Sequence, residues 1–136
     1  MADLFFDASI IGPWVCERTG GQWNGEGACI GMVKDGAIVA GVIFDHYNGQ
    51  SACMHVASDG SRHWLTRKFL ETCFDYPFNQ LKLKKVIGLV DSMNIDALKF
   101  DKHLGFVEEA VIKDAGAKGD LHILTMTRQQ CRFLKD

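Results

Sequence analysis

The sequence predicts a mixed α/β (α+β) fold, in which a central and mostly antiparallel sheet is flanked by helices. Three observations support this prediction. Apolar runs between residues 28 and 57 are joined by short turn signals, as in a β-meander. After residue 57 the apolar spacing changes from alternation to a helical period. The order strand, helix, strand that follows predicts one parallel crossover within the sheet.

Length and composition predict a single globular domain that covers residues 1–136. Hydrophobic residues make up 47% of the chain and charged residues 24%, which is typical of a folded domain. The formal net charge is −2, so the chain as a whole offers no basic surface for tight, non-specific nucleic-acid binding. A local basic stripe is still compatible with that net charge.

The first elements are predicted from turn residues. The Gly12-Pro13 pair predicts the start of a short helix, because proline suits a first helical turn, and Gly20-Gly21 ends it. Residues 28–33 and 37–44 are predicted strands, and Lys34-Asp35-Gly36 between them is a hairpin signal. Asn48-Gly49 is a second turn, and residues 51–57 form the third strand of the meander.

A helix is predicted next, because apolar residues recur on one helical face. Pro77 is expected to end that helix at Tyr76. The residues of the apolar face are Leu65, Phe69, Leu70, Cys73 and Phe74.

The C-terminal part contains one further helix between strands. Residues 85–90 form a predicted buried strand, Ser92 is the expected N-cap of the helix, and Gly105 suits its C-terminal end. The apolar face of that helix is predicted to carry Met93, Ala97, Phe100 and Leu104. Residues 106–112 and 121–126 are predicted strands around a loop at 115–120, and residues 128–134 are a strand extension or a short helical tail.

A polar junction between residues 55 and 64 connects the meander to the first long helix. Backbone N–H groups at such a helix start, together with the helix dipole, bind phosphate groups well. Arg62, Arg67 and Lys68 add positive charge nearby. The alternative is an ordinary strand-to-helix connection that Ser61 caps.

The segment from Asn94 to Phe106 resembles the Asn-x-x-Ala…Leu-Gly-Phe segment of the GNAT superfamily of N-acetyltransferases, and so does the order of elements. The resemblance implies a splayed central sheet, a coenzyme A cleft, acetyl-CoA as the acyl donor and an amine as the acceptor. It also implies that Asn94 contacts the pantetheine arm and that its helix, with Leu98, flanks the coenzyme. Four short segments make the small phage and prophage members the most similar: 12–15, 54–57, 76–78 and 131–134.

The family's pyrophosphate signature, Arg/Gln-x-x-Gly-x-Gly/Ala, is poorly kept. Ser61 stands at its first position, Trp64 at its first glycine and Thr66 at its last. Two alternatives follow: either the loop has another shape, in which Ser61, Arg62, His63 and Thr66 supply donors, or coenzyme binding is weakened. The cofactor-binding residues expected from the resemblance are Met54, Val56, Ser61, Arg62, His63, Trp64, Thr66, Arg67, Asn94 and Leu98.

The resemblance also implies catalytic roles. Backbone N–H groups near Met54 and Val56 would hold the thioester oxygen as charge develops on it. Asp101 stands where many family members have a tyrosine acid, and it can transfer protons near neutral pH only with a raised pKa. The alternative for Asp101 is an ordinary solvated or ion-paired carboxylate.

A base is needed as well, because a free amine is mostly protonated near neutral pH. The candidates are Asp45, His46 and His55. His55 adjoins the expected oxyanion site, whereas His46 lies in a hairpin, where exposure is the more ordinary outcome. For each histidine a structural or solvated role is the alternative.

No metal site or disulfide framework is expected. The five cysteines are odd in number and form no Cys-x-x-Cys pair, and the five histidines show no short ligand spacing. No apolar run reaches the ~20 residues that span a membrane, and the N-terminus lacks a basic secretory segment. The prediction is therefore a protein of the cytoplasm, or of the host cytoplasm if a phage encodes it.

Two other functions are compatible with the sequence. One is a non-catalytic GNAT-like binding or inhibitor module, since Trp64 and Asp101 depart from the family at functional positions. The other is a nucleic-acid-modifying enzyme of the same fold. The acceptor is expected to be a small-molecule or protein amine, and a homodimer is also compatible with the fold. The basic face of a nucleic-acid enzyme would use Arg62, Arg67, Lys68, Lys82, Lys84 and Lys85.

Overall fold

The computed structural model describes residues 2–61 and 66–134. The strands are β1 (Ala2–Phe5), β2 (Ala28–Lys34), β3 (Ala37–Asp45), β4 (Ser51–Ser58), β5 (Lys85–Asp91), β6 (Val107–Ile112) and β7 (Leu121–Thr127). The helices are α1 (Ala8–Thr19), α2 (Arg67–Asp75) and α3 (Ile95–Leu104), and a π-helical turn, Tyr76–Gln80, extends α2.

One seven-stranded sheet runs in the order β1-β2-β3-β4-β5-β7-β6. Within residues 2–61 and 66–134, five of its neighbouring pairs are antiparallel, and only β4 and β5 are parallel. The predicted fold class is therefore confirmed, including the parallel crossover through α2. Within the described residues, no helix is both long and apolar enough to cross a membrane.

The predicted meander is formed by β2, β3 and β4. In the turn between β2 and β3, Asp35 and Gly36 have φ values of 53° and 80°. Two successive positive φ values are what a type I′ hairpin turn requires, and Asp-Gly is among its preferred dipeptides. The turn chemistry read from Lys34-Asp35-Gly36 therefore predicted the correct hairpin.

The N-terminal prediction was wrong in two respects. The strand β1 was not foreseen, because four residues are too few to show an alternating pattern. The helix α1 begins at Ala8, where the Asp7 carboxylate accepts a hydrogen bond from the Ser9 N–H. Pro13 lies inside the helix, so it does not mark the helix start. The N-cap at Asp7 was the stronger start signal.

The boundaries of the later helices also needed correction. The α-helix α2 ends at Asp75 with Tyr76 as its C-cap, as Pro77 predicted, but the helical path continues because Pro77 occupies the first turn of the π-helical segment. Ser92 is not the cap of α3; Asn94 is, and Met93 lies outside the helix with 67% of its surface exposed. Residues 128–134 form turns and bends, neither a strand nor a helix. Gly105 ends α3 with a φ of 117°, as predicted.

The core lies on both faces of the sheet. On one face, Ile11 and Val15 of α1 pack against Ile43 and Ala57. The larger cluster lies on the other face, because neighbouring strand residues point to opposite sides. It joins α2 and α3 to the sheet and includes Val42, Met54, Phe69, Phe74, Val86, Leu104 and Leu124.

Candidate functional site

The parallel strands β4 and β5 separate soon after they meet. Their pairing covers only Ser51–Cys53 on β4 and Lys85–Ile87 on β5. Beyond Cys53, β4 continues to pair with β3, and beyond Ile87, β5 continues to pair with β7. The two strands therefore diverge into a wedge, which is the splayed sheet that the resemblance implies.

This wedge forms the floor of a cleft of about 850 Å³. Its walls are the open end of β4, the open end of β5 and the helix α3. A volume in this range is ordinary for a small-molecule or cofactor site. Of the residues predicted to bind the cofactor, Met54, Val56, Ser61 and Asn94 line the cleft.

The register of β4 determines which backbone groups face the wedge. The Asp59 N–H donates to the Val39 carbonyl at 2.9 Å, in line with the pairing of Gly41 with Ala57. Bonded positions alternate along an antiparallel pair, so residues 53, 55 and 57 exchange hydrogen bonds with β3. Met54 and Val56 consequently direct their N–H groups toward β5, and Val56 lies beyond the last β4–β5 pair.

Asp101 reaches from α3 to the floor of the cleft. A Cβ atom built on Gly88 would lie 3.2 Å from Asp101 Oδ2, so the glycine leaves room for this carboxyl group. Burial raises the pKa of Asp101 from 3.8 to about 7. Among the described residues no salt bridge to Asp101 is present. The carboxyl group thus meets the pKa condition for proton transfer near neutral pH.

The three candidate bases form one hydrogen-bonded cluster. Asp45 Oδ1 lies 2.8 Å from His55 Nε2 and 2.8 Å from His46 Nδ1. The side chain of His55 is 29% exposed and lines the cleft, whereas that of His46 is 76% exposed and lines a second, smaller pocket. The hydrogen bond to Asp45 raises the pKa of His46. His55 is therefore the histidine of this cluster that faces the cleft.

Asn94 and Leu98 have different surroundings on α3. The Asn94 side chain caps the helix, since its Oδ1 accepts a hydrogen bond from the Ala97 N–H at 3.2 Å. It also lines the cleft. Leu98 packs against the larger hydrophobic core, and among the described residues it is not part of the cleft wall.

The strand-to-helix junction is only partly described. Arg62, His63, Trp64 and Leu65 lie outside the described residues, so the predicted contacts of the first three and the predicted place of Leu65 on the helical face stay predictions. The cap of α2 is Thr66 rather than Ser61, because Thr66 Oγ1 accepts the Phe69 N–H at 3.1 Å. Arg67 forms an ion pair with Glu71 at 3.6 Å. Thr66 and Arg67 therefore already have partners within α2.

Arg18 and Gly88 are among the cleft residues that were not foreseen from the sequence. Arg18, in the last turn of α1, lines the cleft, and its guanidinium group lies 3.7 Å from the Trp14 ring centroid. Gly88 leaves room for the Asp101 carboxyl group, since a Cβ atom there would lie 3.2 Å from Asp101 Oδ2. A glycine inside a predicted strand is a signal of close approach, although it does not say what approaches. Arg18 carried no such signal, because α1 reaches the cleft only in the folded chain.

No family model matches the chain, and no curated protein sequence matches it. Solved structures do match. Mutant forms of the spermidine/spermine N-acetyltransferase SpeG from Vibrio cholerae superpose with a TM-score of 0.75 at 14% identity, over 95% of this chain and 96% of that one. The ribosomal-protein-S5-alanine acetyltransferase from Vibrio fischeri superposes with a TM-score of 0.65 at 16% identity, over 78% of this chain and 64% of that one.

These similarities show that the chain has the fold of the GNAT N-acetyltransferases, as the Asn94–Phe106 segment predicted. A second SpeG mutant agrees, with a TM-score of 0.65 at 18% identity over 78% of this chain and 67% of that one. At these identities the similarity establishes the fold. The chemistry has to be argued from the cleft.

Proposed function

We propose that this protein transfers an acetyl group from acetyl-CoA to an amine. The observation that carries the proposal is the wedge between β4 and β5, which brings the Val56 backbone and the Asp101 carboxyl group into one cleft. An acyl transfer needs a donor group for the developing oxyanion and a proton for the leaving thiolate. The wedge offers both within the same opening.

The acetyl transfer forms one bond and breaks one bond, and the Val56 N–H and the Asp101 carboxyl group each have a role in it. The amine nitrogen forms a bond to the acyl carbon, the carbon–sulfur bond of the thioester breaks, and the sulfur leaves with the electron pair. The Val56 N–H supports the acyl oxygen while negative charge develops on it. Protonated Asp101 supplies the proton that the leaving sulfur takes up, which its raised pKa permits near neutral pH.

The amine must lose a proton in the same reaction. His55 is the proposed acceptor of that proton, because it lines the cleft and Asp45 orients its ring through the 2.8 Å hydrogen bond. His46 is the weaker candidate, since its side chain is largely exposed and, among the described residues, it is not part of the cleft lining.

Acetyl-CoA is the proposed acyl donor, and the residues present fit a coenzyme in part. The cleft volume, the β4 backbone and Asn94 suit a pantetheine arm. The coenzyme phosphates would be held at the junction that contains Arg62, His63 and Trp64. The acceptor is proposed to be a small-molecule or protein amine, and spermidine and spermine are suitable test amines because the SpeG structures are named for them.

The central experiment is calorimetric titration with coenzyme A, followed by an assay of thiol release from acetyl-CoA with a panel of amines. Binding and amine-dependent thiol release are expected. His55→Ala should reduce turnover by about 10²–10⁴-fold while coenzyme binding persists, as for loss of general base catalysis. The matched control is His122→Ala, because His122 pairs with Glu108 and does not line the cleft.

Two results would contradict the proposal. Absence of coenzyme A binding at millimolar concentration would remove the acyl donor. Coenzyme binding without turnover for any amine would favour the non-catalytic binding or inhibitor module. Residence in the cytoplasm and assembly as a homodimer belong to the same proposal, and fractionation and sedimentation of the native protein test them.

A further inference from the structure

Three side chains of metal-binding type meet at the end of the β3–β4 hairpin. They are the carboxylate of Asp45, the imidazole of His46 and the thiol of Cys53. One ligand atom from each lies within 4.8 Å of the ligand atoms of the other two. This cluster lies beside the proposed acyl-transfer cleft. The acetyl transfer proposed for that cleft does not use Cys53.

The hairpin register explains why these residues meet. Asp45 and Cys53 are direct partners in the antiparallel pair, so their side chains project on the same face of the sheet. His46 follows with a φ of 54°, a left-handed conformation that is uncommon for a residue other than glycine. Its ring nitrogen Nδ1 returns to within 2.8 Å of Asp45 Oδ1. Two strands therefore contribute to the cluster, and no linear motif marks it.

A fourth residue supports the carboxylate of this cluster. His55 Nε2 lies 2.8 Å from Asp45 Oδ1, on the strand that also carries Cys53. Ligands of protein metal sites are commonly held by such an outer hydrogen bond, which orients the ligand and tunes its basicity. The cluster is also accessible, because the side chain of His46 is 76% exposed although Cys53 is only 9% exposed.

We propose that Asp45, His46 and Cys53 bind a zinc ion, with His55 as an outer-shell partner of Asp45. A thiolate, an imidazole and a carboxylate are the ligand types that zinc accepts, in tetrahedral geometry at roughly 2.0–2.3 Å. A harder ion such as Mg²⁺ would not select the thiol. Three protein ligands leave the fourth position to water or to a further side chain.

Zinc binding would require the donor atoms to move, since Asp45 Oδ1 and His46 Nδ1 now lie at a hydrogen-bond distance of 2.8 Å. Tetrahedral ligands at those bond lengths lie roughly 3.3–3.7 Å apart, and the three atoms already lie within 4.8 Å of one another. Binding would deprotonate the thiol and release its proton to solvent. The site differs from the expectation of no metal, which was based on ligand spacing along the chain. It shares Asp45, His46 and His55 with the proposed acetyl transfer, but it is tested separately, because metal binding can be measured without turnover.

Metal-free protein is titrated with zinc in competition with a chromogenic chelator, and cobalt then replaces zinc as a spectroscopic probe. One equivalent of zinc and a cobalt–thiolate charge-transfer band are expected. His46→Ala and Cys53→Ala should each abolish tight binding and the band, and His55→Ala should weaken binding about 10–100-fold, as for other outer-shell partners. His122→Ala and Cys131→Ala are the matched controls, because they remove the same residue types elsewhere.

The proposal is overturned if the wild-type protein binds no stoichiometric zinc, or if the cobalt band survives in Cys53→Ala. It is equally overturned if His46→Ala binds zinc as tightly as the wild type. His46 is exposed, so its substitution should not disturb folding, and this variant gives a clear answer even if Cys53→Ala is unstable. Loss of coenzyme A binding would refute the acetyl transfer proposal and leave the zinc result unaffected.

Discussion

Asp101 shows how the same residue has different chemistry in solvent and in a folded cleft. On the surface of a helix its carboxyl group would be ionised at neutral pH. In this protein it lies beside Gly88 in the cleft, and burial raises its pKa to about 7. The raised pKa supports the proposed role of Asp101 in proton transfer, at a position where many GNAT proteins have a tyrosine.

The raised pKa predicts a pH dependence of stability. The folded state holds the Asp101 proton up to about pH 7, whereas the ordinary value is 3.8. Between these values the folded state binds more protons, so this group's contribution to the free energy of unfolding falls as pH rises. The fall is at most about 4 kcal/mol. The other ionisable residues that line this cleft are Arg18, His55, Asp91, Asp96, Lys99 and His103.

Urea denaturation of the wild type and of Asp101→Asn across this pH range measures the effect. Relative to the wild type, the variant should gain stability between pH 4 and pH 7, and the difference should level off above pH 7. A constant difference across this range would contradict a buried, proton-binding Asp101. The same variant should lose turnover, because an amide cannot donate the proton that the leaving thiolate needs.

Asn94 combines a structural contact with a proposed contact to the coenzyme, and two substitutions separate them. Asn94→Asp keeps an N-cap oxygen for the Ala97 N–H, whereas Asn94→Ala removes it and should cost about 1 kcal/mol. If the amide also contacts the pantetheine arm, Asn94→Asp should weaken coenzyme A binding without loss of stability. Denaturation and calorimetry of both variants test this, and unchanged affinity in both would restrict Asn94 to capping.

At the scale of elements, α1 sits very close to the sheet. A Cβ atom on Gly41 would lie 2.7 Å from Val15 Cγ2 and 3.0 Å from Ile11 Cγ2, and both side chains are fully buried. Side chains that are packed in this way have little room to move. The absence of a side chain at Gly41 therefore sets the distance between α1 and β3.

Gly41→Ala should destabilise the protein by about 1–3 kcal/mol, as for other overpacked cores. Gly21→Ala is the matched control, because a Cβ atom there would meet its nearest atoms at 3.6 and 3.8 Å, which is ordinary contact. The control should be neutral or slightly stabilising. Equal thermal denaturation midpoints for the two variants would show that α1 can shift without cost.

At the scale of the whole molecule, charge argues against the nucleic-acid alternative. The net charge is −2, and two of the six residues of the proposed basic face are already paired, Arg67 with Glu71 and Lys85 with Glu109. Proteins that bind DNA through phosphates release counterions, so their affinity falls steeply with salt. We expect weak binding of duplex DNA with a shallow salt dependence, measured by fluorescence anisotropy. Tight binding with a steep salt slope would revive that alternative.

The local sequence predicted the elements that depend on local chemistry. The Asp35-Gly36 turn, the apolar face of α2 and the stop at Gly105 all depend on backbone preference or on periodicity over a few residues. Where two local signals competed, the prediction failed, as when Pro13 was preferred to the Asp7 cap and Ser92 to Asn94. The family resemblance supplied the fold that the solved structures confirm.

The composition of the cleft, by contrast, was decided by tertiary structure. The sequence alone determined six of the seven strands of the described sheet, the crossover and a segment that resembles GNAT proteins, because these follow from periodicity, turn chemistry and a short motif. The positions of Asp101 against Gly88 and of Asp45 among His46, His55 and Cys53 depend on strand register and helix packing. Burial determines the pKa of a carboxyl group, and proximity in the folded chain brings side chains of distant residues together. Neither burial nor proximity can be predicted from residue spacing along the chain.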